Sequence, residues 1–333
     1  MSSNPKADLV KKVITENPEL GTNTIAKLLH STHPLWFASY EQARSAVRYY
    51  RGEHHKDQKT SNVVGIRSEE QKKESNGWRG APKSDYEEVP EFVMPTGNNR
   101  ILVMSDIHLP YHDERALDIA IDYGIRNKPN AIILNGDTMD MYQASRFIKD
   151  PTLRNLAGEL EMTRDFLEAL QHEFSCPIYF KMGNHEDRWQ NYLKVSAPEL
   201  LGIPEFHLSS LLRFGEYGVS EIKSKQIIKA GKLTICHGHE MGHAIFSPVN
   251  PARGLYMKAK VSAICGHHHQ TSEHSEKDMA GNVVTTWSMG ALCGLSPEYF
   301  PFNKWNHGFC WVDTDSSGEF EVKNMRIVDG KIR

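Results

Sequence analysis

Ile101-Leu102-Val103-Met104-Ser105-Asp106-Ile107-His108 sets the pattern for most of the chain: a short apolar run stops, and a polar string of metal-donor side chains follows. The same succession recurs four more times. Ala131 to Leu134 leads into Gly136-Asp137-Thr138-Met139-Asp140, Pro177 to Lys181 into Gly183-Asn184-His185-Glu186, Leu233 to Cys236 into His237-Gly238-His239, and Ala263 to Cys265 into Gly266-His267-His268-His269. Short β-branched runs bounded by turn residues read as strands. Helical patterns lie between them, the clearest at Leu156, Leu160, Thr163, Leu167 and Leu170, whose steps of four and three place all of them on one face. Alternating strands and helices predict an α/β domain that begins after Gly97. Ala230-Gly231 and Ala280-Gly281-Asn282 read as hairpin turns, so the sheets are expected to be mixed. In open α/β sheets ligand sites gather beyond the carboxyl ends of strands, and every one of these strings falls there.

Oxygen and imidazole donors without a thiolate requirement suit Mn²⁺, Fe or Zn²⁺ at an open, water-bearing site, which argues for metal-assisted hydrolysis. The ordered set D-x-H, G-D-x-x-D, G-N-H-E, H-G and G-H-x-H resembles the calcineurin-like metallophosphoesterase superfamily over about residues 98–333. That resemblance implies a four-layer α/β/β/α sandwich of two mixed sheets and a site for two divalent metal ions, with Mn²⁺ the first choice. Asp106 and His108, read as an i, i+2 pair on one side of a strand end, would hold metal one together with His269. Asn184, His237 and His267 would hold metal two, and the two oxygens of Asp137 would bridge the ions. The H-x-H spacing is expected to present His267 and His269 on one side, with His268 turned away. By the same resemblance a phosphate monoester or diester is hydrolysed through attack of metal-bound hydroxide, with His185 as general acid and Asp140 as its carboxylate partner. Asp140 could instead cap a turn. Arg188 is a candidate phosphate ligand or an ion-pair partner of Glu186, and His239 a candidate substrate contact. His112, His243 and Arg253 read as surface residues, and a Ser-His-Asp mechanism lacks its G-x-S-x-G elbow.

At 333 residues, 24% charged and with a net charge of -3, the chain has no global basic excess, so a nucleic acid or membrane would have to be met locally. No apolar run reaches the roughly 18 residues of a membrane-spanning helix, and the start of the chain has no signal-type apolar region, so a cytoplasmic location is expected. The five cysteines, Cys176, Cys236, Cys265, Cys293 and Cys310, show no C-x-x-C spacing and read as free thiols; Cys236 and Cys265 continue apolar strands and read as packing.

Residues 1–51 read as a small helical unit, with one face at Leu9, Val10, Val13 and Ile14, a short helix from Thr24 to Leu29 and a third from Tyr40 to Tyr50. The order looks like a helix-turn-helix, with Arg44, Arg48 and Arg51 on one face as candidate nucleic-acid contacts, and residues 1–60 carry a local charge of +3. A three-helix protein-docking module is the competing reading. Residues 52–97 form a polar linker in which only Trp78 and Tyr86 look able to dock on a neighbouring domain. A helical unit followed by this catalytic domain has the look of a phage or prophage protein, and a nuclease is the favoured activity if the helices bind DNA. The alternative of a non-catalytic scaffold with the same fold would be expected to lack His185 or several donors, and here none is missing.

Overall fold

The structure, a computed structural model, describes residues 4–52, 84–146, 150, 155–242 and 249–333; Trp78 and His243 lie outside that set. Contacts divide the chain into two units, Met1–Glu87 and Glu88–Arg333. In the first, helices span Pro5–Glu16, Thr22–Thr32 and Tyr40–Tyr50. Asn4 caps the first by accepting from Lys6 N and Ala7 N, and Ser39 caps the third by accepting from Gln42 N. Val10, Ile14, Ile25, Leu29, Phe37 and Val47 close a small core between them. The connection of residues 33–39 between the second and third helices is longer than the roughly 3–4-residue turn of a helix-turn-helix.

The second unit contains β1 (Phe92–Val93), β2 (Asn99–Met104), β3 (Ala131–Asn135), β4 (Ile178–Lys181), β5 (Val219–Ile222), β6 (Ile228–Ala230) and β7 (Leu233–Cys236). It continues with β8 (Ala263–Cys265), β9 (Ser272–Lys277), β10 (Val283–Ser288), β11 (His307–Thr314), β12 (Phe320–Val328) and β13 (Lys331–Ile332). A seven-stranded sheet has the order β13-β12-β11-β2-β3-β4-β5, and a six-stranded sheet the order β1-β6-β7-β8-β10-β9. Strands β2 to β5 run parallel, whereas β11 and β12 pair antiparallel. In the second sheet β6/β7 and β9/β10 are antiparallel hairpins, turning at Gly231 (φ 58°) and Gly281 (φ 87°). Both sheets are therefore mixed.

The packing gives four layers. Between the sheets, Ile101, Val103 and Ile133 meet Ile228, Ile235 and Ile264. On the outer side of the seven-stranded sheet, Leu102, Met104, Ile132 and Leu134 pack on the helices Glu114–Asn127 and Leu156–Glu173 through Ala116, Ala120, Leu167 and Leu170. The helix Pro251–Ala259 covers the six-stranded sheet, with Leu255 against Cys236, Ala263 and Cys265. Burial on both faces is why β2 and β3 read as continuous apolar runs. Cys236 and Cys265 serve that packing, and all five cysteines are free.

Strand β1 falls within the stretch read as linker. Phe92 N donates to Ile227 O at 2.8 Å and Met94 N to Lys229 O at 2.9 Å, and Met94 is buried. Two residues are too few to show a period, so the sequence pattern places the domain start later, at Gly97. Tyr86 is exposed, and among the described residues no helix is long and apolar enough to cross a membrane.

Candidate metal centre

The loops after β2, β3, β4, β7 and β8 bring the donor residues together. Five of these donors sit on left-handed backbone: Asp106 (φ 54°), His108 (53°), Asp137 (51°), His267 (66°) and His269 (54°). Each such residue costs about 1–2 kcal/mol, a strain that concentrates at functional sites. Strand alternation therefore does not align Asp106 with His108, because β2 ends at Met104 and tight turns do the work. Nor do His267 and His269 share a side: His269 faces Asp106 and His108, while His267 groups with Asp137 and His237.

On one side of the centre, His269 Nε2 lies 3.1 Å from Asp106 Oδ1 and 3.2 Å from His108 Nε2. Two imidazole nitrogens bound to one tetrahedral ion at ordinary lengths would be roughly 3.3 Å apart, so this spacing fits a shared cation. His108 Nδ1 is 3.1 Å from Asp140 Oδ1, an outer contact that leaves Nε2 as the donor atom. On the other side, His237 Nδ1 donates to Asn135 O at 2.7 Å, which likewise frees Nε2. That Nε2 and Asn184 Oδ1 are buried and have no hydrogen-bond partner among the described residues. Buried orphan acceptors are costly unless something fills them, and a cation is a partner that both atoms could accept. Between the two sides lies Asp137 Oδ2, 3.2 Å from His237 Nε2 and 4.0 Å from His108 Nε2, where a carboxylate could bridge. Burial opposes the charge on Asp106 and Asp137, yet the imidazoles around them outweigh it and hold both carboxyls well below their usual range.

His185 stands beside the bridge, with Nε2 3.8 Å from Asp137 Oδ2. Its Nδ1 donates to Asp140 O at 2.8 Å and lies 3.3 Å from Asp140 Oδ1, while Nε2 accepts from Arg188 Nη2 at 2.9 Å. Burial disfavours an imidazolium here, but the Asp137 and Asp140 carboxylates more than compensate, so its pKa is raised from the ordinary value. Asp140 thus serves two rings rather than a helix cap. Arg188 Nη1 donates to Asp140 O at 2.7 Å and does not pair with Glu186. Glu186 instead accepts from the backbone N–H groups of Asp137, Met139 and Gly183 at 3.0, 3.0 and 2.8 Å. It ties the bridging loop to the Asn184 loop, a role that no sequence spacing announces. Gly183 permits the approach, since a Cβ there would lie 2.3 Å from Asp137 Oδ1.

The remaining candidates divide. His239 Nε2 is occupied by Ser224 Oγ at 2.9 Å, and His268 stacks its ring edge-on to His267 at 5.1 Å. His112 is half-buried, with Nδ1 lacking a partner among the described residues, and Arg253 is exposed. In the helical unit Arg44 and Arg48 line a cavity of about 540 Å³ with Gly21, Thr22, Asn23 and Thr24. Arg51 does not join them: its Nη1 donates to Thr22 Oγ1 at 3.0 Å and its Nη2 to Leu20 O at 2.5 Å, stitching the turn before the second helix.

The description "calcineurin-like phosphoesterase" matches residues 99–286. The gene 54 protein of Mycobacterium phage L5 is 29% identical over 247 residues, covering 70% of this chain and 96% of the relative. The gene 54 protein of Mycobacterium phage D29 is 26% identical over 246 residues, with the same coverages of 70% and 96%. Among solved structures, Vps29 from Entamoeba histolytica aligns over 70% of this chain and 96% of its own, at 16% identity and a TM-score of 0.37.

Proposed function

The chain belongs to the calcineurin-like phosphoesterase family, and on that premise we propose that it hydrolyses a phosphate monoester or diester with the help of two divalent cations. The observation that carries this reading is the position of Asp137 Oδ2 between His237 and His108, with the orphaned His237 Nε2 and Asn184 Oδ1 beside it. Asp106, His108 and His269 would hold one cation and Asn184, His237 and His267 the other, with Asp137 shared. A bound pair of cations supplies Lewis acidity and an acidified water at neutral pH. Mn²⁺ suits this donor set of oxygens and imidazoles, and Fe or Zn²⁺ are the alternatives.

The protein's own groups supply the rest. His185 gives a proton to the departing alkoxide, and Asp140 holds the ring by Nδ1 so that Nε2 faces the reacting oxygen. Arg188 occupies that Nε2 in the absence of substrate. An incoming phosphate offers the guanidinium a charged, bidentate acceptor in place of a neutral nitrogen, so substrate binding draws Arg188 away and leaves Nε2 open to take up from water the proton that it then passes to the leaving oxygen. The complete donor set disfavours a purely non-catalytic scaffold. Arg44 and Arg48, facing one cavity, support a tethering role for the helical unit on nucleic acid, and with it a nuclease, as a cytoplasmic phage protein would use. The test is removal of metal by a chelator followed by assay on a nitrophenyl monoester, a nitrophenyl diester and single-stranded DNA. Hydrolysis should vanish and return with Mn²⁺; undiminished turnover by verified metal-free protein would refute the reading.

A further inference from the structure

Lys181 ends β4 and its side chain is fully buried, beneath the loop that carries Asn184. A buried ammonium persists only when paired and fully hydrogen-bonded. Here Nζ lies 2.8 Å from Glu240 Oε1 and donates to Ser224 O and Gln226 O, each at 2.9 Å, with Lys223 O at 3.4 Å. Glu240 in turn follows His237 by three residues. Its Oε1 accepts from His237 N at 3.1 Å and its Oε2 from Gly238 N at 2.6 Å. The pair therefore ties the end of β4, three residues before Asn184, to the backbone of His237 itself. Ser224 extends the tie, with Oγ 2.6 Å from Asp187 Oδ2 and 2.9 Å from His239 Nε2. The metal-one side is built otherwise, through contacts among Asp106, His108 and His269 themselves.

We propose that Lys181 and Glu240 are positioning residues for the second cation alone: by joining the β4 end to the His237 loop they set the separation of Asn184 Oδ1 from His237 Nε2. This rests on the two-cation reading. A site whose donors come from two loops binds only as tightly as the loops are held at the right distance, and loss of such outer contacts lowers metal affinity by about 10–100-fold. A purely structural pair would change folding stability without discriminating between the two cations.

The full-length protein, freed of metal and titrated calorimetrically with Mn²⁺, should show two binding steps; the step lost in Asn184→Ala marks the second cation. In the Lys181→Met/Glu240→Leu double variant the melting temperature should fall, since Ser224 O, Gln226 O, His237 N and Gly238 N lose their partners, while the second step weakens about 10–100-fold and the first is unchanged. Glu240→Gln, which keeps one acceptor oxygen for His237 N, should fall between the two. Unchanged affinity at both steps, or equal weakening of both, in a folded variant overturns the proposal. Should the double variant fail to fold, Glu240→Gln is read by the same two criteria. A parent that takes up fewer than two cations overturns the two-cation reading itself.

Discussion

The two halves of the centre are held by different means. All three residues proposed for the first cation, Asp106, His108 and His269, adopt left-handed backbone, and His269 Nε2 already lies 3.1–3.2 Å from the other two. Of the residues proposed for the second cation only His267 is left-handed; Asn184 and His237 come from separate loops, and Asn184 Oδ1 and His237 Nε2 have no hydrogen-bond partner among the described residues. Both halves join separate loops, but the first does so through direct contacts of His269 with Asp106 and His108, whereas ties through Asn135, Glu186, Glu240 and Lys181 hold the second.

The largest expected effect comes from the residue that both halves share. Asp137→Asn removes the bridging charge, so both cations should be lost together and turnover should fall to background; elemental analysis showing one cation retained at full occupancy would argue against a bridge. Next comes the group that serves neither half as a donor. His185→Ala should leave the metal content near normal and cut kcat by about 10² to 10⁴, more for an alkyl ester than for a nitrophenyl ester. The imidazole pKa is raised by the Asp137 and Asp140 carboxylates, so its acid form extends to higher pH than that of an ordinary histidine and is lost as pH rises through the shifted value. Parent kcat on an alkyl ester should decline on the alkaline side, and the variant should lack that limb.

Single-donor variants test the asymmetry itself. His269→Ala should weaken the first cation by at least about tenfold with little change at the second, and Asn184→Ala should do the reverse. Losses of equal size at both sites in both variants would erase the distinction drawn between the halves.

The sequence carried the strands well, because each is buried on both faces, and the polar strings that end their apolar runs converge in the structure. It predicted β2, β3, β4, β7 and β8, the hairpins at Gly231 and Gly281 and the helix Leu156–Glu173. It misjudged orientation. Asp106 and His108 were expected to align by strand alternation, and His267 with His269 by the same rule, but the chain has left the strand at both places. Residues that act through buried contacts left no signal either: Glu186 spends its carboxylate on three backbone N–H groups, and Lys181 meets Glu240 across 59 positions of sequence. Arg51 has helical spacing with Arg44 and Arg48, yet tertiary packing turns it onto Thr22 and Leu20.

Smaller effects probe what lies outside both halves. Glu159, buried behind the Asp140 loop, accepts from Met141 N, and burial pushes its carboxyl up to about 7 from an ordinary 4.5. A raised carboxyl pKa means stability that is complete below the unfolded value and lost as pH rises through the folded one. Glu159→Gln keeps the acceptor and removes the titration, so it should gain stability over the parent by up to about 3 kcal/mol between pH 5 and pH 8. Melting curves in which the gap does not widen with pH would contradict this. Smallest for the centre is the Arg44→Ala/Arg48→Ala variant, expected to weaken single-stranded DNA binding and to reduce the slope of log affinity against log salt by about 1–2. Equal affinity to the parent at equal salt would leave the helical unit a protein-docking module.

One measurement bears on the centre as a whole: the Mn²⁺ content of the loaded full-length chain, taken together with its electron paramagnetic resonance spectrum. Two cations per chain with an exchange-coupled signal, replaced by loss of both in Asp137→Asn, are expected if the Asp137 carboxylate joins the halves. A single cation, or two whose spectra show no coupling, would contradict a shared bridge.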